Sequence, residues 1–209
     1  MFKDRLEAGK LLAKKLKSYK KGPGVVLAVP RGGVPVAYEI AKELDLPLQL
    51  IFTKKIGHPE NKEYAIGAAS MNDHFIVPHI GVSDSYIKAE LKRIRKNIKK
   101  MQNRLDTGKK EDLKNKTVIL VDDGIATGHT LLATIKVLQK ARPKEIVVAA
   151  PVSTKDAYNK LASEADKIIV ILIPKKFRGV GGYYYDFSQV TEEEVQFFLD
   201  RLRRIKKAS

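Results

Sequence analysis

The stretch Val118-Ile119-Leu120-Val121-Asp122-Asp123-Gly124-Ile125-Ala126-Thr127-Gly128-His129-Thr130 decides how this chain is read. Four apolar residues run directly into two carboxylates, then into a short segment of Gly and Thr, then into a pattern of helical period. The segment therefore reads as strand, loop and helix N-terminus in succession. In open α/β sheets ligands bind beyond the carboxyl ends of the strands, so the loop lies where a site is expected. Its small residues let the backbone N–H groups of 126–130 converge on a phosphate, and the helix N-terminus adds partial positive charge. Asp122 and Asp123 would repel a phosphate that they faced. They are expected to turn toward hydrogen-bond donors, such as the hydroxyls of a sugar.

The alternation continues toward the C-terminus as helix 130–141, strand 145–150, helix 154–162 and strand 167–173. Toward the N-terminus, the breaker Lys21-Gly22-Pro23-Gly24 precedes an apolar run at 25–29 that suits a strand buried on both faces. The turn Pro30-Arg31-Gly32-Gly33 and the helical spacing of Val36, Ala37, Ile40, Ala41 and Leu44 lead to a strand at 48–52, completing a βαβ unit. At 4–19, Leu6, Leu12, Ala13, Leu16 and Tyr19 fall near one helical face, marking a helix expected to lie on the sheet. The fold class is α/β, a mostly parallel sheet flanked by helices.

Between 54 and 78 the alternation stops, and β-prone pieces at 65–70 and 75–77 point to a hairpin-like insertion. From 83 to 106, Ile87, Leu91, Ile94, Ile98, Met101 and Leu105 mark one long amphipathic helix. It is expected to pack on its own subunit, because the heptad run is short for a coiled coil. Thr191 and Glu194 form a capping-box pattern ahead of Val195, Phe198, Leu199 and Leu202. The expected organisation is a single domain over 1–209, with its core at 20–55 and 115–175, the insertion and long helix at 56–110, and a C-terminal hood at 174–205.

A chain of 209 residues can bury a core without metal or disulfide support. It contains no Cys, which excludes disulfides, thiol nucleophiles and thiolate metal sites within it and fits a reducing interior. No apolar run reaches the roughly 18 residues that span a bilayer, and residues 1–19 are Lys-rich without a continuous apolar core, so a cytoplasmic protein with no membrane partner is expected. The net charge of +16 admits nucleic acid, a membrane surface or a small polyanion as partner. Lys and Arg are spread along the helices, however, with no zinc-finger spacing, aromatic RNA-binding signature or basic arm. Solvated helix faces account for the charge, and nucleic acid is not the expected partner.

A second anion site is suggested by Pro30-Arg31-Gly32-Gly33, again between a strand end and a helix. Its glycines permit backbone angles that a β-carbon forbids, so amides can face a ligand while Arg31 supplies a fixed charge.

With these residues in place, 118–130 resembles the motif of the type I phosphoribosyltransferases that binds 5-phosphoribosyl-1-pyrophosphate (PRPP): a hydrophobic strand, two acids and a Gly/Thr phosphate loop. The resemblance implies that Asp122 and Asp123 hold the ribose hydroxyls, and that Gly124 and Ile125 lead into Ala126, Thr127, Gly128, His129 and Thr130, which bind the 5-phosphate. Arg31, Gly32 and Gly33 resemble the family's pyrophosphate loop. Lys54 and Lys55 stand where orotate phosphoribosyltransferases carry basic residues near the pyrophosphate, which makes Arg31 and Lys55 the implied catalytic residues. The stretch 55–68, with Gly57, His58, Asn61 and Glu63, would be the family's flexible catalytic loop; His58 and His129 are themselves read as plain loop residues.

The segments 174–177 and 180–187 are similar to the end of purine-salvage phosphoribosyltransferases, which implies that Phe177 stacks on a base and that Asp186 reaches bound Mg2+, although 178–182 holds extra residues relative to that pattern. Tyr183 to Tyr185 reads equally well as a hydrophobic strand. The chain as a whole is similar to stand-alone predicted phosphoribosyltransferases of bacteria and archaea whose base is unassigned. The implied reaction moves ribose 5-phosphate from PRPP to a nucleobase-like nitrogen acceptor and releases pyrophosphate. The 6-oxopurine enzymes carry an Asp where this chain has Ala126, which argues against a hypoxanthine- or guanine-type enzyme. A homodimer is left open, and the alternative function is a PRPP-sensing regulator that binds nucleic acid. Replacing Asp123 by Asn is expected, on the sequence alone, to weaken PRPP binding while leaving the fold intact.

Overall fold

The computed structural model describes residues 1–61, 65–77, 81–105, 108 and 111–208. In chain order, helix α1 (Arg5–Lys15) leads to strand β1 (Gly24–Ala28), helix α2 (Gly33–Leu44) and strand β2 (Leu48–Leu50). Three short strands follow, β3 (Lys54–Gly57), β4 (Ala65–Ala69) and β5 (His74–Ile76), and then the long helix α3 (Asp84–Asn103). The second half alternates as β6 (Thr117–Val121), α4 (His129–Gln139), β7 (Glu145–Val152), α5 (Lys155–Ala162), β8 (Lys167–Leu172) and α6 (Glu192–Ala208).

Five strands form one sheet in the order β2-β1-β6-β7-β8, every pair parallel. β1 and β6 are the expected strands buried on both faces, with all five residues of each inaccessible. Their side chains alternate strictly. Val26, Ala28, Ile119 and Val121 join one apolar cluster with α1, α2 and α6, whereas Val25, Leu27, Val118 and Leu120 join another with α4 and α5. Burying about 25 cal/mol per Å² of apolar surface on both faces is the main force that holds these strands at the centre.

α1 is shorter than its apolar pattern suggested. Asp4 caps it by accepting from the Glu7 amide at 2.8 Å, and a single 3₁₀ turn at Lys17–Tyr19 replaces its last turn. The helix crosses α2 closely at Gly9, where an added Cβ would lie 2.7 Å from the Val36 carbonyl oxygen. The hairpin-like insertion is a three-stranded antiparallel sheet, β3-β4-β5. Much of the supposed flexible loop 55–68 is thereby strand; Glu63 lies outside the described residues. α3 packs Leu91, Ile94 and Ile98 into the same cluster as Ile56 and Ile66 of the small sheet, and the Tyr86 hydroxyl donates to the Gly57 carbonyl at 2.6 Å. This is the expected packing on its own chain.

Residues 2–3 pair with 183–186. The Phe2 amide donates to the Tyr183 carbonyl at 2.8 Å, and the Tyr185 and Asp186 amides donate to the carbonyls of Phe2 and Lys3 at 2.9 and 3.0 Å. Phe2, Ala8 and Tyr184 form a separate small core beneath this hood. Among the described residues, no helix is long and apolar enough to cross a membrane.

The capping box ahead of α6 is present, with the Thr191 amide donating to Glu194 Oε2 at 2.8 Å and the Glu194 amide to Thr191 Oγ1 at 3.2 Å. We expect Thr191→Ala to cost about 1 kcal/mol, a fall in Tm of roughly 2–4 °C by calorimetry for a chain of this size. An unchanged Tm would show that the cap is idle.

Candidate functional site

Numbered within the sheet alone, the strand order is 2-1-3-4-5, and the connections diverge between β1 and β6. That divergence is the topological switch point at which doubly wound sheets bind ligands. The loops leaving these two strands are 29–33 and 122–128, the two anion loops expected from the sequence.

The second loop is anchored through its carbonyls. The Ile125 amide donates to Val152 O at 2.8 Å, the Thr154 amide donates to Ile125 O at 3.0 Å, and Thr154 Oγ1 donates to Ala126 O at 2.8 Å. The N–H groups are left over: among the described residues, those of Ala126, Thr127, Gly128, His129 and Thr130 donate to no protein acceptor. Gly128 adopts φ 75°, which only glycine takes readily, and turns the chain into α4. Ala126, Thr127, His129 and Thr130 are exposed, so a row of amides opens to solvent at a helix N-terminus. Such a nest is built to accept an anion.

The two acids are not equivalent. Asp122 Oδ1 accepts from the Asp123 amide at 2.9 Å. Burial, and secondarily the negative charge of Asp123, push its carboxyl well above the usual carboxylate range. Asp123 is instead paired: Arg5 Nε lies 2.9 Å from its Oδ2, with side-chain exposures of 10% and 15%. A second Arg5 nitrogen donates to the Ser188 carbonyl at 2.8 Å, and the guanidinium sits 3.9 Å from the Phe187 ring centroid. The Tyr184 hydroxyl donates to the Asp123 carbonyl at 2.6 Å, and burial holds this phenol far above its ordinary pKa.

This geometry overturns the expectation that Asp123→Asn would leave the fold intact. Removing one partner of a buried pair strands the other charge, at a cost of about 3–5 kcal/mol. Arg5 was missed because its partner is 118 residues away. One local signal was available. A cation in the first turn opposes the helix dipole, and Arg5 falls in phase with the buried residues Ala8, Leu12 and Leu16. A buried cation in that setting calls for an acid elsewhere in the chain.

The Arg31–Gly33 turn lies against the acids. An added Cβ on Gly32 would sit 2.1 Å from Asp123 Oδ2, and one on Gly33 2.8 Å from the Val121 carbonyl oxygen. Gly32 has ordinary right-handed helical angles, φ −57° and ψ −36°, so these positions demand small residues for close approach and not for unusual angles as the sequence suggested. The Pro30–Arg31 peptide is cis. Arg31 is half-buried and near the head of α6, where hydrogen bonds, and to a lesser degree the Arg31 charge, hold the Glu193 carboxyl below its ordinary value.

Lys54 and Lys55 are exposed on β3. They border a cavity of about 660 Å³ lined also by Phe75, Leu132, His129 and Thr130, and this cavity does not reach Arg31, Asp122, Asp123 or Phe177. His58 Nδ1 accepts from the Glu60 amide at 3.3 Å. In the hood, the half-buried Phe177 ring stacks on Tyr183 at 5.7 Å, and Asp186 is exposed, its Oδ1 accepting from the Ser188 amide at 2.9 Å, which lowers its pKa. The structure thus brings Asp122, Asp123, Gly32 and Gly33 together, sets Lys54 and Lys55 beside His129 and Thr130, and sets Asp186 close enough to Arg5 to feel its charge.

Residues 4–188 match the family model described as a phosphoribosyl transferase domain. The crystal structure of TT1426 from Thermus thermophilus matches with a TM-score of 0.89 and 36% identity, covering 96% of this chain and 98% of that one. A Mycobacterium tuberculosis protein provisionally named a phosphoribosyl transferase is 34% identical over 210 residues, 98% of this chain and 47% of its own. The chain therefore spans about half the length of that relative. The fold alone is shared with the AQ2163 protein of Aquifex aeolicus, at a TM-score of 0.51 and 13% identity over 93% of this chain and 85% of that one.

The raised pKa of Asp122 carries a stability consequence with a definite sign. Its folded form favours the neutral carboxyl, so its contribution is complete below the ordinary carboxylate pKa and is lost as pH rises through the elevated one. Asp122→Asn should therefore raise stability in urea relative to the native chain at pH 8, with the gap narrowing as pH falls toward about 4. A gap that is constant with pH, or of opposite sign, would refute the buried charge.

Proposed function

The chain belongs to the phosphoribosyl transferase domain family, and on that premise we propose that it binds PRPP at the switch point and transfers ribose 5-phosphate to a nucleobase-like nitrogen acceptor with release of pyrophosphate. The observation that carries this reading is the row of amides at 126–130 that have no protein acceptor, close in the chain to two acids that lie against the Gly32–Gly33 turn. The amides suit the 5-phosphate and the acids suit the ribose hydroxyls. Arg31 with the following turn suits the pyrophosphate. Lys54 and Lys55 on β3 add positive charge at the His129–Thr130 end of the loop, and Phe177 offers an aromatic face to the acceptor ring.

Among the described residues, no cluster of three or more His, Asp or Glu forms a self-sufficient metal site. Mg2+ characteristically binds through one or two carboxylates plus substrate phosphates and keeps several waters. Asp122 offers a hard oxygen donor in surroundings that disfavour its charge, so the donor set fits an ion delivered with PRPP. Asp186 on the hood is the second oxygen donor we assign to it. Bound there, Mg2+ would neutralise charge developing on the pyrophosphate.

The chain's own contribution is positional and electrostatic. The nest and the Arg31 turn hold PRPP at both ends and so fix its reacting carbon, and positioning of this kind supplies about 7 kcal/mol or more. Arg31 stabilises charge that grows only as the bond to pyrophosphate breaks, so it favours the transition state over bound substrate. Residues 20–55 and 115–175 serve as the binding core in this reading, and 174–205 with residues 2–5 as the hood over the acceptor.

The test is incubation with Mg2+, PRPP and a panel of purine and pyrimidine bases, following pyrophosphate and nucleotide. We expect pyrophosphate release that depends on one acceptor class, a roughly hundredfold drop in turnover for Arg31→Ala, and weakened PRPP binding for Asp122→Asn. A native chain that shows no calorimetric binding of PRPP with Mg2+ would overturn the proposal.

A further inference from the structure

Asp123 is gripped by groups that contact no part of PRPP in the proposed reaction. Arg5 Nε holds its Oδ2 at 2.9 Å, and the Tyr184 hydroxyl holds its backbone carbonyl at 2.6 Å. Both grips lead into the hood. Arg5 also donates to Ser188 O at 2.8 Å and stacks over Phe187, while the Tyr184 ring packs between Phe2 and Phe187 at 5.3 and 5.0 Å. A third tie is steric: an added Cβ on Gly124 would lie 2.3 Å from Val180 Cγ1, so the hood rests directly on the loop that follows the acids.

Stability alone is a poor reason for this arrangement. A buried ion pair is usually matched or bettered by apolar side chains of similar volume, and Arg5 in addition works against the dipole of α1. Its planar fork, engaged on Asp123 with one nitrogen and on Ser188 with another, fixes an orientation that a leucine would leave free. With Oδ2 taken by Arg5, Oδ1 is the carboxylate oxygen that this pairing leaves for a ribose hydroxyl.

We infer that Arg5 is a positioning residue that, together with Tyr184, locks the hood to the Asp123 carboxylate, so that the surface offered to the acceptor and the oxygen offered to the ribose form one rigid unit. The inference rests on the reading of Asp123 as a ribose ligand. It assigns to the N-terminal helix a role in sugar binding that no residue of that helix performs by direct contact.

The experiment compares Arg5→Lys, Arg5→Met and Tyr184→Phe with the native chain. Affinity is measured by calorimetry with Mg2+ for PRPP and for inorganic pyrophosphate, which lacks the ribose, and Tm is measured alongside. Displacing a ligand-binding oxygen by a fraction of an ångström should weaken PRPP by about tenfold or more in each variant, with pyrophosphate affinity held within about twofold and Arg5→Lys retaining part of what Arg5→Met loses. Should Arg5→Met fail to fold, Arg5→Lys and Tyr184→Phe carry the comparison. A lowered Tm with unchanged PRPP affinity, or equal losses for both ligands, would overturn the role of Arg5 while leaving the proposed function standing. Absence of PRPP binding by the native chain would remove the proposed function and this inference with it.

Discussion

Two successive carboxylates at the end of a strand with no exposed residue are costly to place, and the rest of the site follows from how that cost is met. Neither is fully open to water. Asp122 is met in part by the amide of its neighbour and otherwise by a shift toward its neutral form. Asp123 is met by a buried arginine. A third solution, a ligand rich in hydroxyls or a bound cation, is the one that the proposed function would supply to Asp122. In the proposed function, a ligand that relieved this cost would gain affinity from it.

The sheet supplies the setting in which such a cost can be borne. Parallel strands leave their carboxyl ends, and therefore their loops, on one edge, and the connections diverge between β1 and β6, the place at which sheets of this kind bind ligands. The glycines at 32 and 33 let the first loop close on the acids of the second. The carbonyls of the second loop are spent on β7 and Thr154, which leaves its amides facing out. Polarity is in this way sorted by backbone direction, with the acceptors buried and the donors presented.

The fold was legible where burial imposes a simple pattern. β6 ends where the apolar run meets Asp122 because all five of its residues are enclosed, and the Thr191–Glu194 box marks α6 because capping is local chemistry. The small sheet was read only as hairpin-like, since strands of three to five residues carrying Lys54, Lys55 and His74 show little periodicity. Of the candidate site, the row of amides without protein acceptors at 126–130 was readable because it is contiguous. The grip of Arg5 and Tyr184 on Asp123 was not, because neither partner's sequence neighbourhood names the other. Gly32 was singled out for the wrong reason: its need for space depends on where Asp123 lies, a fact of tertiary structure.

The distance along the chain between the parts of the hood has a kinetic meaning. Arg5 meets Ser188 across 183 residues and Asp123 across 118. Closing loops of that length costs entropy before any contact repays it. On the ribosome, the first helix emerges long before its partners, carrying an arginine whose acid and whose hood have yet to be made. The sheet can assemble progressively from β1 onward, but the carboxylate cannot be set until the last fifth of the chain is out. The contacts of Arg5 with Ser188 and of Tyr184 with Asp123 can therefore form only once residues 184–188 have been made.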